Sequence, residues 1–353
     1  MSYADGWAAI NLEMPSRVPR TEYSANRHWD LVNAVLGTNV SSKSDPQEQE
    51  EASIRFVKAW NYDYYWTVSV SSNFMVHGRR TDMGHGVYEA DGADKRQAKP
   101  SPFQDVEDVY AFDPAEEYGV WPEEDLVEMY HTQYAKACKR FPDCVNSCGV
   151  YITMFSGFID AFGWEMLLLA AGYDPVRFGE VARRWEKWIS QFFVAFAKTD
   201  VDVFMCHDDI VWSSGPILHP AWYREYVFPA YKRLWAPIIE AGKKILFTSD
   251  GDYTLFVDDI AQAGAHGFVL EPLTDLEYIV EKYGKTHVII GNVDTRVLLT
   301  GTKEDIRAEV ERCMRLGKPC PGYFMAVGNH IPPNTPVENA LYYNEVYEEL
   351  SRR

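Results

Sequence analysis

From residue 123 onward, helical hydrophobic patterns alternate with short apolar runs that are typical of buried strands. The helical patterns cover residues 123–140, 163–171, 175–198, 220–241, 253–263, 274–283 and 302–315. The apolar runs cover residues 149–154, 201–206, 244–247, 266–270, 287–290 and 322–327, and alternation of bulky and small residues predicts a further strand over 64–72. Such a succession favours a parallel α/β sheet, and about eight strands close as a (β/α)8 TIM barrel. An open, doubly wound sheet is the alternative.

The first 60 residues have a different pattern. An amphipathic run begins at His28 and ends at Gly37, and a polar stretch over 41–51 leads into a helix predicted over 52–60. We therefore predict a helical N-terminal extension or cap over 1–60, packed on a barrel that residues 61–353 form within a single domain. Residues 77–105 have no helical period and are predicted to form an irregular segment, with a β-hairpin around 85–92.

Polar side chains follow most of the predicted strands, at the point where each strand ends. Because the carboxyl ends of barrel strands meet at one face, these side chains are expected to converge there, where proton transfer or metal binding needs several polar groups. We predict five catalytic residues of this kind, namely His207, Asp209, Asp250, Asn329 and His330. The predicted substrate-binding residues at the same face are Asp208, Asp252, Glu271, Asn292 and Asp294.

Each of these residues also has a purely structural interpretation. Asp208 or Asp209 could cap the following loop, and Asp250, which precedes a glycine, could hold a turn. Asp294 could be only the N-cap of the next helix, and His330 could lie in a rigid turn formed by the prolines after it. Both interpretations stay open at the level of the sequence.

Charge and motif content exclude several function classes. The chain has 52 acidic and 34 basic residues and a formal net charge of −18, so nucleic acid and anionic membrane surfaces are not expected partners. No window approaches 18 uninterrupted apolar residues and the N-terminus lacks a signal-peptide pattern, which predicts a cytoplasmic protein. No glycine-rich dinucleotide or P-loop motif is present.

The cysteine and aromatic residues allow two further predictions. Three of the six cysteines lie in a C-x5-C-x3-C stretch from Cys138 to Cys148, which matches no standard zinc spacing and predicts reduced structural thiols. Aromatic residues make up 14% of the chain, which suits a large core and also a pocket for a flat small-molecule substrate.

The motifs of the C-terminal half resemble the uroporphyrinogen decarboxylase superfamily, which holds a heme-pathway decarboxylase and cobamide-dependent methyltransferases on one barrel. The resemblance covers about residues 145–350, and Arg17-V-P-R-T-E-Tyr23 matches loosely. The motifs that carry it are Asp174-Pro175, D-D-I and S-G-P-I-L-H-P between Asp208 and Pro220, S-D-G-D from Ser249, G-N-V-D-T from Gly291, Gly301-T, and I-P-P-N-T-P-V-E-N from Ile331.

The resemblance to the decarboxylase branch is broken at its diagnostic positions. That branch has an arginine-rich N-terminal signature for a tetrapyrrole with four acidic side chains, an Asp after the first strand, and a Gly-His-Gly turn near the end. Here the N-terminal stretch offers Arg17 and Arg20, the first strand ends in Ser71-Ser72-Asn73, and the late turn reads Gly328-Asn329-His330. A decarboxylase acting on a carboxylated tetrapyrrole or aromatic is therefore the alternative function.

Resemblance to the methyltransferases implies a different chemistry. The zinc-dependent thiol-activating group uses His-x-Cys-Gly and a late Cys, where this chain has Thr248, Asp250 and Asn329, so a thiol acceptor is not expected. The remaining group demethylates substrates such as methoxylated aromatics and passes the methyl group to a corrinoid carried by a separate protein. For that group, the implied zinc or acid/base residues are Glu22, His207, Asp250, Glu271 and His330.

The leading hypothesis is thus a corrinoid-linked methyltransferase component that acts on a small molecule, with Tyr23 beside Glu22 among the substrate-binding residues. A site with the spacing Asp294, Glu309, His330 is ranked lower because Glu309 falls inside a predicted helix. A non-catalytic binding protein is the third reading, and a homodimer is expected from the resemblance alone.

Overall fold

The computed structural model describes residues 1–81 and 100–353, so the hairpin predicted around 85–92 lies outside the described residues. The strands are β1 Tyr64–Tyr65, β2 Val145–Asn146, β3 Cys148–Val150, β4 Val203–His207, β5 Val211–Trp212, β6 Gly215–Pro216, β7 Lys244–Thr248, β8 Gly267–Val269, β9 Val288–Ile290 and β10 Tyr323–Phe324. Six of them form one parallel sheet in the order β3, β4, β7, β8, β9, β10.

The remaining part of the ring closes the sheet into a barrel. β1 pairs in parallel with β2, and Val70 bridges Val150 further along the same two segments. Arg20 bridges Met325 in parallel, where Met325 N–H donates to the Pro19 carbonyl at 2.8 Å. Asp63 N–H donates to the Arg20 carbonyl at 2.9 Å. Residues 19–21 therefore stand between the last and the first predicted strand, and the (β/α)8 barrel is confirmed.

This closure changes the predicted organisation of the chain. The boundary at residue 60 does not separate a cap from the barrel, because a segment near residue 20 supplies the eighth strand position. That segment reads Val18-Pro19-Arg20-Thr21 and contains no run of apolar residues, so the sequence carried no strand pattern there.

Helices surround the strands. They are α1 Tyr3–Ile10, α2 Trp29–Leu36, α3 Pro46–Ala59, α4 Val106–Tyr110, α5 Pro114–Tyr118, α6 Glu123–Arg140, α7 Phe155–Tyr173, α8 Pro175–Ala197, α9 Pro220–Trp222, α10 Phe228–Glu240, α11 Val257–Ala263, α12 Leu276–Tyr283, α13 Thr295–Thr300, α14 Lys303–Gly317 and α15 Val337–Leu350. The described residues also include three 3-10 turns (Ala25–Arg27, Ser72–Phe74 and Thr254–Phe256) and a π turn (Tyr223–Val227).

Helix α7 begins eight residues earlier than the pattern indicates. Residues 155–162 are all buried, so they have no polar face from which a helical period could be recognised. Gly163, at φ 73°, interrupts the helix where the prediction placed its start. The helix is long and apolar enough to cross a membrane by length and composition, yet 67% of the relevant window is buried in the protein, which indicates a core helix.

Alternate residues of the strands face two separate hydrophobic layers. One layer lies between the strands and the surrounding helices, and the other fills the barrel interior with side chains such as Met205, Leu246 and Ile290. Ala9 and Ile10 of α1 belong to the interior layer. Helix α1 therefore closes the amino-terminal end of the barrel, while the carboxyl end stays open to the cavity described next. All six cysteines are free thiols, as predicted.

Candidate active site

A cavity of about 640 Å³, part of it open to solvent, lies at the carboxyl ends of the strands. Its lining combines carboxylates, imidazoles and aromatic rings from seven separate parts of the chain. These residues are Tyr23, Trp66, Tyr151, His207, Thr248, Ser249, Asp250, Val269, Leu270, Glu271, Gly328, Asn329 and His330. The convergence predicted from the strand ends is therefore present for four of the five catalytic candidates at the cavity wall.

The fifth candidate, Asp209, lies directly behind the cavity wall. Its carboxylate contacts two of the other candidates, His207 and Asp250. Its carboxylate contacts His207 Nε2 at 3.1 Å and accepts from the Asp250 backbone N–H at 2.9 Å. Its own N–H donates to Ser156 Oγ at 2.9 Å. One ligand atom each from His207, Asp209 and Asp250 lies within 4.8 Å of the others. The adjacent strands β4 and β7 align His207 with Thr248 and so bring these groups together.

Burial and mutual repulsion alter the protonation of this cluster. Burial alone disfavours a charged His207, but the negative charge and the hydrogen bond of Asp209 raise the pKa of the imidazole. Burial, followed by the negative charges of Asp209 and Glu271, raises the pKa of Asp250 well above the usual range. The Asp250 side chain nevertheless meets solvent through the cavity. Perturbed carboxyl groups in a cleft are typical of functional sites.

A second hydrogen-bonded group, Glu271, Asn329 and His330, forms the opposite part of the wall. Glu271 accepts from the Gly251 N–H at 2.6 Å through one carboxylate oxygen and from the Asn329 side-chain amide through the other. Asn329 Oδ1 in turn accepts from the His330 N–H at 2.7 Å. Burial raises the pKa of Glu271 and lowers the pKa of His330. Burial thus favours the neutral form of the His330 imidazole.

Aromatic rings complete the lining. Tyr23 and Trp66 meet edge to face with ring centres 4.4 Å apart and an interplanar angle of 79°. Tyr151 packs against His207 at 3.8 Å, and Trp66 lies 6.0 Å from the same imidazole. The Tyr23 hydroxyl and the Trp66 indole N–H are buried without a hydrogen-bond partner within residues 1–81 and 100–353. Tyr23, a predicted substrate-binding residue, thus lies on the cavity wall.

Two of the predicted site residues are held inside the protein instead. Glu22 is fully enclosed, where it pairs with Arg20 at 2.9 Å and accepts from Tyr343 Oη at 2.6 Å and Val327 N–H at 2.9 Å. Asp208 accepts from the backbone N–H groups of Met154 and Ser156 and from the Tyr231 hydroxyl, and burial raises its pKa to about 7. We correct both predictions, because every carboxylate oxygen of these residues has a protein donor and neither residue lines the cavity.

Three further predicted substrate-binding residues have structural partners outside the main cavity. Asp252 accepts from Thr254 N–H at 3.0 Å, and Asn292 spans the carbonyls of Glu271 and Thr274 while Arg312 donates to its oxygen. Asp294 is the N-cap of α13 and forms an ion pair with Arg296 at 2.7 Å. Of these three residues, Asp294 lines an adjoining cavity that shares Glu271, Asn329 and His330 with the first. Asp252 and Asn292 therefore correspond to the structural interpretation.

The sequence pattern missed several residues at or near the site. Trp66 and Tyr151 line the cavity because β1 ends at Tyr65 and β3 ends at Val150, whereas the predicted strands continued past them. Asp160 lies on α7, and burial raises its pKa to about 7 with a further contribution from Asp209. An aspartate within an apolar helix was the available signal, because a buried carboxylate needs a reason to be there.

A barrel with ionisable side chains converging at the carboxyl ends of its strands defines the architecture of a (β/α)8 barrel enzyme. Residues 162–350 match the family model described as uroporphyrinogen decarboxylase (URO-D). The chain belongs to the uroporphyrinogen decarboxylase family, which confirms the resemblance read from its motifs.

Individual relatives match over part of the chain. It is 31% identical to a uroporphyrinogen decarboxylase of Thermus thermophilus over 163 residues, 46% of each chain. It is likewise 31% identical to one from Syntrophotalea carbinolica over 140 residues, 40% of each chain. The chain thus spans less than half the length of these curated relatives. A methyltransferase from Methanosarcina mazei shares the fold with a TM-score of 0.63 at 17% identity, covering 97% of this chain and 96% of that one.

Proposed function

We propose that this chain is a methyltransferase component that removes a methyl group from a small molecule and passes it to a corrinoid carried by a separate protein. The observation that carries the proposal is the chemistry of the cavity. Its described lining offers Asp250, Glu271, two imidazoles and aromatic rings, and no lysine or arginine. The methyltransferase from Methanosarcina mazei, whose fold this chain shares, supports the same choice.

The decarboxylase alternative is supported by the names of the curated relatives and opposed by the placement of the arginines. A tetrapyrrole that carries several carboxylates needs cationic side chains around it. Arg20 is fully buried against the rings of Trp60 and Tyr347 and pairs with Glu22, while Arg17 pairs with Asp63 at 2.7 Å. Neither guanidinium lines the cavity. An assay for coproporphyrinogen formation tests this alternative directly, and we expect none.

The donor set of the cavity fits a divalent metal of zinc type. His207, Asp209 and Asp250 offer one nitrogen and two carboxylate ligands close together, which zinc accepts. Of the other predicted ligands, Glu271 and His330 lie on the same cavity wall, whereas Glu22 is enclosed elsewhere. A bound zinc ion would act as a Lewis acid on the heteroatom that carries the methyl group.

The bonds and electron pairs of the proposed methyl transfer balance as follows. The bond between the methyl carbon and its heteroatom breaks, and the electron pair of that bond stays on the heteroatom. The methyl carbon forms its new bond with cobalt(I), which supplies the second pair. If the heteroatom is an ether oxygen, it leaves as an anion and needs a proton. Glu271, with its raised pKa and its place on the wall, is the group positioned to donate it.

The proposal is tested by methyl transfer to free cob(I)alamin, followed through the loss of its absorbance. Metal-replete protein is offered a panel of methoxylated aromatics and methylated amines. We expect at least one donor to be demethylated in proportion to the cob(I)alamin consumed. Transfer from none of them would contradict the proposal.

A further inference from the structure

Helix α7 carries a buried aspartate that the proposed reaction does not use. Asp160 is only 5% exposed, and within residues 1–81 and 100–353 its carboxylate forms no hydrogen bond or ion pair. Its backbone is well held, because Thr81 donates to the Asp160 carbonyl through its N–H at 2.7 Å and through its hydroxyl at 3.2 Å. A buried carboxylate without a partner costs free energy. The fold itself therefore gives no reason for a charge at this position.

Asp160 lies on the side of α7 that packs against the proposed zinc ligands. These are His207, Asp209 and Asp250, whose ligand atoms lie within 4.8 Å of one another, and we call them the metal cluster. The hydroxyl of Ser156 accepts from the Asp209 N–H at 2.9 Å. Residues four apart in a helix are neighbours on one face, with Cβ atoms about 5–6 Å apart. Asp160, one turn after Ser156, therefore lies behind the metal cluster, and it is not among the described residues of the cavity wall.

The electrostatic environment of Asp160 agrees with this placement. Burial raises its pKa to about 7, the charge of Arg80 lowers it, and the negative charge of Asp209 raises it further, while His207 lowers it. Arg80 is exposed, so water screens its charge. Asp160 thus lies within electrostatic reach of two members of the metal cluster and has no full counter-charge among the described residues.

From the burial of this carboxylate and its place behind the ligands, we propose that Asp160 is a positioning residue of the metal cluster. Its negative charge stabilises the bound zinc ion from behind, and the carboxylate does not itself touch the metal. Carboxylates in this position orient the ligating side chains and raise metal affinity by roughly ten- to hundredfold. The inference rests on the proposed function, because it concerns the zinc ion that the proposed function assigns to the cluster.

Asp160 acts on the metal cluster through Asp209. The Ser156 hydroxyl lies 2.9 Å from the Asp209 nitrogen and 3.5 Å from its Oδ2, so this face of α7 borders the Asp209 carboxylate. Like charges repel, so an ionised Asp160 disfavours rotation of that carboxylate towards α7. It favours the observed orientation, in which Asp209 contacts His207 Nε2 at 3.1 Å. The oxygens of Asp209 thus stay directed at the metal cluster.

A purely structural role and the proposed role predict different behaviour without metal. Replacement of a residue that holds the fold together lowers stability, whereas removal of an unpaired buried charge leaves stability unchanged or raises it. Asp160→Asn keeps the shape of the side chain and removes its charge. In chelator-treated protein, we expect this variant to unfold at an equal or higher urea concentration than the unaltered chain. A lower midpoint, or a variant that does not fold, would indicate a structural role and overturn the inference.

Zinc affinity, measured by competition with a chromophoric chelator at fixed pH, gives the decisive comparison. We expect Asp160→Asn to bind zinc roughly ten- to hundredfold more weakly than the unaltered chain. Zinc should accordingly raise the urea midpoint of the variant less than that of the unaltered chain. Asp202→Asn is the matched control, because Asp202 is exposed just before β4, at the opposite end of that strand from His207, and it should bind zinc as the unaltered chain does. Equal affinities of Asp160→Asn and the unaltered chain would refute the assignment.

The zinc measurement is independent of turnover. If Asp160→Asn binds zinc weakly but no methyl group reaches cob(I)alamin from any donor, the proposed function fails and the assignment of Asp160 stands. If methyl transfer occurs and Asp160→Asn binds zinc as tightly as the unaltered chain, the reverse holds. Absence of zinc binding by the unaltered chain would also contradict the inference, because the carboxylate would then have no cation to stabilise.

Discussion

At the scale of single residues, the adjacent aspartates Asp208 and Asp209 have different roles. Asp208 and Asp209 follow the same strand, yet Asp208 accepts three hydrogen bonds inside the protein while Asp209 contacts His207 behind the cavity wall. Strand-end position predicted that polar residues converge here. It could not tell which carboxylate faces the site, because Met154, Ser156 and Tyr231 decide that from other elements.

The structural task of Asp208 gives a prediction about stability. Tyr231→Phe removes a hydroxyl that donates to a buried carboxylate, so we expect the free energy of unfolding to fall by about 1.5–3 kcal/mol. Urea denaturation measures the change. Tyr173→Phe, at an exposed position, serves as the control and should stay within about 0.5 kcal/mol of the unaltered chain. Equal stability of the two variants would show that the Asp208 carboxylate does not depend on this bond.

The proposed metal site gives a second prediction at the residue scale. We expect the chain to bind one zinc ion, and Asp250→Asn to weaken that binding at least tenfold because it removes an anionic ligand. Elemental analysis after dialysis against zinc buffers gives the stoichiometry and affinity. Asp202→Asn is the matched control, since Asp202 is exposed just before β4, at the opposite end of the strand from His207. The same affinity in both variants would remove Asp250 from the proposed ligand set.

At the scale of elements, the helix–strand alternation predicted seven of the eight strand positions of the barrel. The eighth, around Arg20, consists of a few backbone hydrogen bonds to Met325 and Asp63 and has no apolar pattern of its own. Tertiary contacts alone define it. The same reason explains α7, whose first half is buried on every side and therefore has no amphipathic period.

A histidine between β7 and β8 makes the stability of the sheet depend on pH. His266 Nδ1 accepts from Ile245 N–H at 3.1 Å, and burial, with smaller contributions from Lys244 and His287, lowers the pKa of His266 to about 4. In the unfolded chain, His266 binds a proton with a pKa near 6.5. In the folded chain, the same imidazole is protonated only when the pH falls to about 4. Stability from this group is complete above pH 6.5 and is lost as the pH falls towards 4.

His266→Asn keeps an acceptor and removes the titration. Between pH 7 and 4.5, we expect the unaltered chain to lose about 1–2 kcal/mol more unfolding free energy than the variant, a value reduced for the partial exposure of the ring. Urea denaturation across this range measures the difference. A difference that stays constant with pH would show that His266 does not titrate between the two states.

At the scale of the whole molecule, the two ends of the barrel have separate tasks. Helix α1 contributes to the interior layer at the amino-terminal end, while the cavity at the other end gathers its lining from loops that follow separate strands. This division explains why motif positions after strands were informative about the site. Aromatic wall residues such as Trp66 came from boundaries that pattern alone placed too late. The family follows from residues 162–350, whereas the proposed methyl transfer depends on side chains of the whole cavity.

The central claim is that this cavity transfers a methyl group. The most direct measurement is single-turnover transfer of an isotopically labelled methyl group to cob(I)alamin from a panel of labelled methoxylated aromatics and methylated amines, with the metal-replete chain and two variants. We expect labelled methylcobalamin from the unaltered chain and from Asp202→Asn, and a rate at least about a hundredfold lower from Asp250→Asn. No labelled product from the unaltered chain, or equal rates with Asp250→Asn, would contradict the account.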